Sequence, residues 1–229
     1  MLFGSSYWFV IAYIGLYILS PVLNAFVEKS SPKQLSTVII SFFAAEFIYG
    51  WVINSESFAR GYSIVSFIGL YLLARYLRLY PTKVFSKCPQ LDFVLYLILA
   101  IIPATISFIG INIEWIQSHM LFYSSPFAVA GSTFLFICFT KIKLKNTIIN
   151  WIAFSTFSAY LIHLHPIVIP HFTELMRNLS GRFSPLSYSC IVVLLAFTFI
   201  VICTVIDQIR IYSWNLIFAN HFRLINKQS

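Results

Sequence analysis

Charge is what this chain has least of. Only 10% of its 229 residues are Asp, Glu, Lys or Arg, with 7 acidic side chains against 15 basic ones. An ordinary soluble domain carries roughly a quarter charged residues, so a water-soluble fold of this length has too little polar surface to cover it. Recognisable motifs are scarce too. GxSxG, HExxH and glycine-rich phosphate loops are missing, which removes the familiar signatures of soluble hydrolases and nucleotide-binding folds. The 4 cysteines form no CxxC or Cys/His spacing that suggests zinc. Cys88 lies in a connecting segment, and Cys138, Cys190 and Cys203 lie within or beside apolar runs, where they serve as small buried residues. With no internal repeat, no Gly/Pro/Ser-rich linker and no low-complexity tract, the chain reads as a single domain over residues 1–229.

What is present is apolar length. Hydrophobic residues make up 59% of the chain and its mean hydropathy is +0.86. A bilayer supplies the apolar solvent that such a composition needs, so the expected fold is all-α: a polytopic bundle of membrane helices. A span takes about 20 mostly apolar residues, and about seven stretches qualify. They are Tyr7–Phe26, Leu35–Val52, Tyr62–Leu79, Leu91–Gly110, Phe122–Phe139, Trp151–Pro170 and Tyr188–Ile206. The fifth is the least regular, because Ser124, Ser125 and Pro126 crowd its start.

The net charge of +8 follows from where the basic residues fall. If the spans alternate, one side collects Lys29, Lys33, Arg75, Arg78, Lys83, Lys87, Lys141, Lys143, Lys145, Arg210, Arg223 and Lys227, and the other only Arg60, Arg177 and Arg182. The positive-inside rule then puts the first side in the cytoplasm, with the N-terminus outside and the C-terminus cytoplasmic. Membrane lipid is the partner this charge fits, and nucleic acid is not needed to explain it. Trp8, Trp51, Trp115 and Trp151 lie at or near span ends, where indoles anchor in the headgroup zone. Residues 1–6 carry no basic residue, unlike the start of a secretory signal. The expectation is a genuine first span, entered unaided or once preceded by an odd number of others.

The densest polar chemistry sits in Tyr160-Leu161-Ile162-His163-Leu164-His165-Pro166. Titratable groups at membrane depth usually face a cavity or a partner helix. Pro166 removes a backbone donor and should leave the Ile162 carbonyl without its helical partner. Thr156, Tyr160 and His163 share a helix face and form a candidate pocket wall, whereas His165 points away unless the proline break reorients it. His163 is a candidate proton carrier with no acid nearby in sequence to orient it, and equally a packing residue. Arg75 and Arg78 share a face at the end of the third span. They suit the helix terminus and lipid headgroups, or a phosphorylated ligand held in the guanidinium fork. Lys141, Lys143 and Lys145 invite the same two readings. Glu46 is the most isolated acid, and Asp207 with Arg210 would close the last span at the cytoplasmic surface.

Taken in order, three stretches resemble the integral-membrane acyltransferase family 3, which contains bacterial polysaccharide O-acetyltransferases. They are Tyr7-Trp8-Phe9 through Leu16-Tyr17 to Ser20-Pro21-Val22-Leu23-Asn24, then Gly61–Tyr80, then Ser125-Pro126-Phe127 onward to Tyr160-Leu161-Ile162-His163. The resemblance implies a bacterial inner-membrane enzyme that moves an acyl group, usually acetyl from acetyl-CoA, to a sugar hydroxyl of a cell-envelope glycan. No tightly bound cofactor and no metal is implied. The family's leading Arg and His positions precede the helix at which this chain begins, so the resemblance implies a shortened member, active only with the missing part supplied. Its catalytic residue stays unassigned, with His163 a weak candidate. A non-enzymatic carrier of a glycan or small solute, using the kinked sixth span as its path, is the competing expectation, and an inactive remnant is a third.

Overall fold

The computed structural model describes residues 7–81, 88–110, 113–143 and 145–225, with side chains through 217. All regular structure among them is helical. The chain divides into two compact units, Met1–Leu144 and Lys145–Ser229.

Serine followed by proline starts helices repeatedly, because the hydroxyl caps an orphan N–H and proline fits the first turn, where its missing N–H is not needed. In the first unit, α1 (Trp8–Lys29) ends where the Ser30 hydroxyl donates to the Phe26 carbonyl. Ser31 then caps α2 (Pro32–Ala45) in a reciprocal box with Gln34. From Glu46 to Val52 the same rod continues as a π-helix. Ser63 caps α3 (Ile64–Leu79), α4 covers Pro89–Ile109, and α5 is a short turn of helix at Glu114–His119. Ser125 caps α6 (Pro126–Lys141).

Successive long helices of this unit alternate in direction. Tyr71 of α3 donates to Asn24 of α1 at 2.6 Å, while Gly69 of α3 lies against the Phe42 ring of α2. Ser124, just before α6, donates to the Gly50 carbonyl at the far end of α2, and Lys141 at the end of α6 reaches Asp92 at the start of α4. One end of the unit therefore gathers Arg75, Arg78 and Lys141, and the other gathers the 53–62 loop and α5. A core of Val27, Leu35, Ile39, Phe43, Leu72 and Val129 ties α1, α2, α3 and α6 together.

In the second unit, Asn146 caps α7 (Thr147–Phe154), α8 covers Thr156–His163, α9 covers Val168–Ser180 and α10 covers Pro185–Ile225. Before α10, the Ser184 hydroxyl accepts from the Ser187 N–H.

Among the described residues, four helices are long and apolar enough to cross a membrane: Trp8–Lys29, Pro32–Val52, Pro89–Ile109 and Pro185–Ile217. Two other expected spans are shorter than read. The third begins only at Ile64 and the fifth only at Pro126, leaving 16 residues each, or about 24 Å of helix against a core of about 30 Å. The sixth expected span is not one rod. Thr147–His163 and Val168–Ser180 meet at 86°, and counting them as one broken span brings the total to at most 5. The amphipathic face of α9, with Val168, Ile169, Phe172 and Met176 on one side and Glu174, Arg177 and Asn178 on the other, suits a helix lying along an interface.

Candidate functional site

The break at Pro166 is satisfied locally. Its missing N–H does not orphan the Ile162 carbonyl as expected, because the His165 N–H turns back to it at 3.1 Å. His165 then opens α9: its carbonyl accepts from Val168 and Ile169, and its Nδ1 accepts from the Ile167 N–H at 3.3 Å. His163 ends α8 with its ring edge-on to Phe172 of α9 (5.1 Å) and Phe199 of α10 (5.8 Å). Tyr160 stacks with Phe157, and its hydroxyl is enclosed. Thr156 is exposed and donates back to the Ile152 and Ala153 carbonyls, so its hydroxyl is spent on its own helix.

The buried polar face of α8 is a different one. Ser158 donates to Asp207 of α10 at 2.6 Å, Gln208 donates to the buried Ser155 at 3.1 Å, and Arg210 donates to Asp207 at 2.8 Å. Asp207 does not close a helix at the surface as expected. It is 3% exposed, and α10 runs on to Ile225. The pairing spans 49 residues and leaves no periodic trace in sequence.

His163 thus packs between two phenyl rings, which sets up a discriminating pair of variants. His163→Ala should cost about 1–3 kcal/mol through two lost edge-to-face contacts, whereas His163→Phe should unfold within a few degrees of the parent in detergent. A stable but inactive His163→Phe would give the imidazole a proton-transfer role, and a stable, fully active one would leave it a packing residue.

At the basic end of the first unit, Arg78 and Lys141 line one cavity of about 310 Å³. Leu77 and Pro81 form one wall, and Phe136, Ile137 and Thr140 the other. Arg75 does not line it, and its Nε is buried without a hydrogen-bond partner among the described residues. The two arginines that sequence grouped by helix face are therefore separated by environment, and the partner Arg78 gains is Lys141. Lys141 in turn pairs with Asp92, which is fully buried in the first turn of α4. Sequence reasoning passed over Asp92, although a lone acid just after Cys88-Pro89 at the head of an apolar run marks a helix start. Lys83 and Lys87 lie outside the described residues.

The opposite end is held in unusual backbone geometry. Ala59, Arg60 and Gly61 have successive φ values of 45°, 59° and 93°, and Asn54 stands at 56°. Arg60 lies over the Phe122 ring at 5.0 Å and its Nε donates to Asn54, while Trp51 donates to the His119 carbonyl at 2.9 Å. Glu46, where the π-helix begins, is 2% exposed; it faces the Ser66 hydroxyl, and its Oε2 has no partner among the described residues. π-Segments often accompany functional sites. Among the described residues no group of His, Cys, Asp and Glu has the arrangement of a metal site.

A family model described as an acyltransferase domain, that of acyltransferase family 3, matches residues 3–206. Neither a curated protein nor a solved structure matches the chain. The match runs through both compact units and takes in the aromatic first helix, the Arg75–Arg78 helix end and the His163 break. This apolar, all-helical chain is an integral membrane protein and belongs to acyltransferase family 3.

Proposed function

We propose that the protein is a membrane O-acyltransferase that carries acetyl from acetyl-CoA to a sugar hydroxyl of a cell-envelope or surface polysaccharide. The observation that carries this reading is the family match over residues 3–206. In the balanced reaction the sugar oxygen attacks the thioester carbonyl, its proton passes to a base, and the coenzyme leaves as a thiol. Such a step calls for a base at the hydroxyl and donors for the developing oxyanion. His163 is the weak candidate for the base, with Tyr160 and Thr156 beside it in sequence.

The donor is polyanionic, and Arg78 at the mouth of a cavity offers it a forked cation. Arg75, one turn earlier on α3, lies outside that cavity, so the donor contact falls to Arg78. The basic end of the first unit supports a cytoplasmic placement for that cavity, with about seven crossings of the bacterial inner membrane, the N-terminus outside and the C-terminus cytoplasmic. One observation favours the carrier alternative: the 86° break beside His163 is the kind of discontinuity at which transporters bind substrate.

Inside-out vesicles containing the full chain, supplied with acetyl-labelled acetyl-CoA, should label envelope glycan above vesicles without it. Arg78→Lys should raise the donor KM about tenfold with kcat little changed, as expected for a lost second hydrogen bond to phosphate. Solute uptake that proceeds without any acyl-CoA, with no glycan labelled, would replace this reading with the carrier.

A further inference from the structure

Two cavities adjoin at the end of the first unit that lies opposite Arg78, and one cation stands between them. The first is polar, about 440 Å³, and is lined by Asn54, Ser55, Glu56, Ala59 and Arg60. The second is a mainly apolar groove of about 330 Å³ between α4 and α6. Phe122 and Tyr123 form its head, and Leu99, Pro103, Phe127 and Leu135 carry it down the seam. From Phe127 to Leu135 that is about 12 Å of helix. Arg60 lines the polar cavity and lies over the Phe122 ring at 5.0 Å, so its guanidinium sits where cavity and groove adjoin.

Arg60 has no basic company at this end. No other arginine or lysine occurs in residues 1–28, 34–74 or 88–140. It is exposed and joins no ion pair among the described residues. Its Nε is spent on Asn54, and its two terminal nitrogens make no hydrogen bond among those residues. The backbone holds it in the left-handed region (φ 59°), and its carbonyl accepts from the Ser124 N–H at 3.2 Å, just ahead of α6. Strained backbone of this kind persists where its surroundings over-determine it, ligand clamps among them.

A free guanidinium fork matches phosphate oxygens, and its loop follows the Pro32–Val52 span, at head-group depth. On one side of it the groove has room for an apolar chain. On the other, Asn54 and Glu56 offer a donor and acceptors to hydroxyl groups. Gly131 keeps the groove open: a Cβ there would stand 3.7 Å from both the Leu99 Cβ and the Tyr96 ring, so any larger side chain must enter the groove.

We propose that Arg60 and the α4–α6 groove form a site for a single-chain lipid phosphate with a hydroxyl-rich head group, that is, a polyprenyl-phosphate sugar. Arg60 takes the phosphate, the groove takes the near end of the chain, and Asn54 and Glu56 face the sugar. A diacyl lipid fits less well, because the groove holds one chain and the second would be left in the bilayer. That this lipid is the acceptor for acylation rests on the reading above; its binding does not.

The test uses the purified full chain in phosphatidylcholine nanodiscs doped equally with polyprenyl-phosphate glucose, unphosphorylated polyprenol and phosphatidylglycerol, and measures which lipid is enriched on the protein. Polyprenyl-phosphate glucose should exceed each of the others about tenfold. Arg60→Asn should abolish that preference, while Arg60→Lys keeps part of it. Asparagine is at home in the left-handed region, so the first change removes the cation and spares the turn. Gly131→Leu should cost a similar factor by filling the groove. Should it disturb the α4–α6 contact, Ser132→Phe fills the same groove from an exposed position and should also lose binding. Arg182→Asn, at an exposed arginine of the second unit, controls for charge alone and should change nothing.

Loss in both Arg60→Asn and a groove variant upholds the site. Loss in Arg60→Asn alone would mean a surface anion contact with no seat for a chain, and overturns it. Phosphatidylglycerol enriched as strongly as the polyprenyl lipid overturns it too, as does unchanged binding in every variant. No acyl-CoA is present, so a chain that transfers no acyl group still decides the matter, and failure of the acyl-transfer reading would leave this result standing.

Discussion

Gly61→Ala should be among the most damaging single methyl groups that can be added to this protein. Gly61 has φ of +93°, and a Cβ there would lie 2.7 Å from the Tyr123 Cβ, 2.8 Å from the Ser124 nitrogen and 2.9 Å from the Tyr123 carbonyl carbon. Two of those atoms are backbone, and the Ser124 N–H is engaged with the Arg60 carbonyl at 3.2 Å, so the neighbour cannot swing aside as a side chain would. The left-handed geometry and the clash together should cost about 2–5 kcal/mol. Gly181→Ala is the control: φ there is ordinary, and the nearest atom to a new Cβ is the Arg177 carbonyl at 3.8 Å. Thermal unfolding of both variants in detergent should show a large loss for Gly61→Ala and almost none for Gly181→Ala. Equal melting temperatures would mean that the 59–61 turn is not held against the 122–124 segment.

The second large effect is expected at Asp207. Its carboxylate is the hub that joins α8 to α10, accepting from Ser158 at 2.6 Å and from Arg210 at 2.8 Å. Arg210 is 63% exposed, so solvent screens most of its share. The Ser158 bond is enclosed and charge-assisted, and losing it with its acceptor should cost about 2–4 kcal/mol in Asp207→Ala. Asp207→Asn keeps an acceptor for Ser158 and should lose less than half as much. Cys203, 1% exposed on the same helix, is a native reporter. A membrane-permeant maleimide should modify Cys88 and Cys190 in the parent and add Cys203 in Asp207→Ala, because the α8–α10 contact loosens. If Cys203 stays protected while the melting temperature is unchanged, the α8–α10 contact does not depend on this carboxylate.

The helical, membrane-bound character of the chain was legible because apolar length is a local and additive signal. The helix starts at Ser31-Pro32 and Ser125-Pro126 were drawn elsewhere, at Leu35 and Phe122, although their cap and first-turn chemistry is just as local a signal. The family resemblance was legible for the same reason, as an ordered set of short aromatic and polar strings. Asp92 with Lys141 and Asp207 with Ser158 were not, since each pair is 49 residues apart and only packing brings them together. The candidate wall of Thr156, Tyr160 and His163 was drawn from ideal helical phase. That phase says which residues share a face but not which face a neighbour covers: the buried polar one runs through Ser155 and Ser158. The break after His163 was read as a kink within one span, because Pro166 marks where a helix stops and not the direction in which the next one leaves.

The serine–proline pairs at the heads of α2, α6 and α10 have a consequence for how this chain tolerates change. A proline in the first turn blocks the helix from growing backward, so residues inserted ahead of it pile up in the connecting segment. The rod behind keeps its rotational setting, and its lipid-facing and partner-facing sides do not trade places. Length variation among relatives is therefore expected to gather just upstream of these pairs and to stay out of the helices themselves.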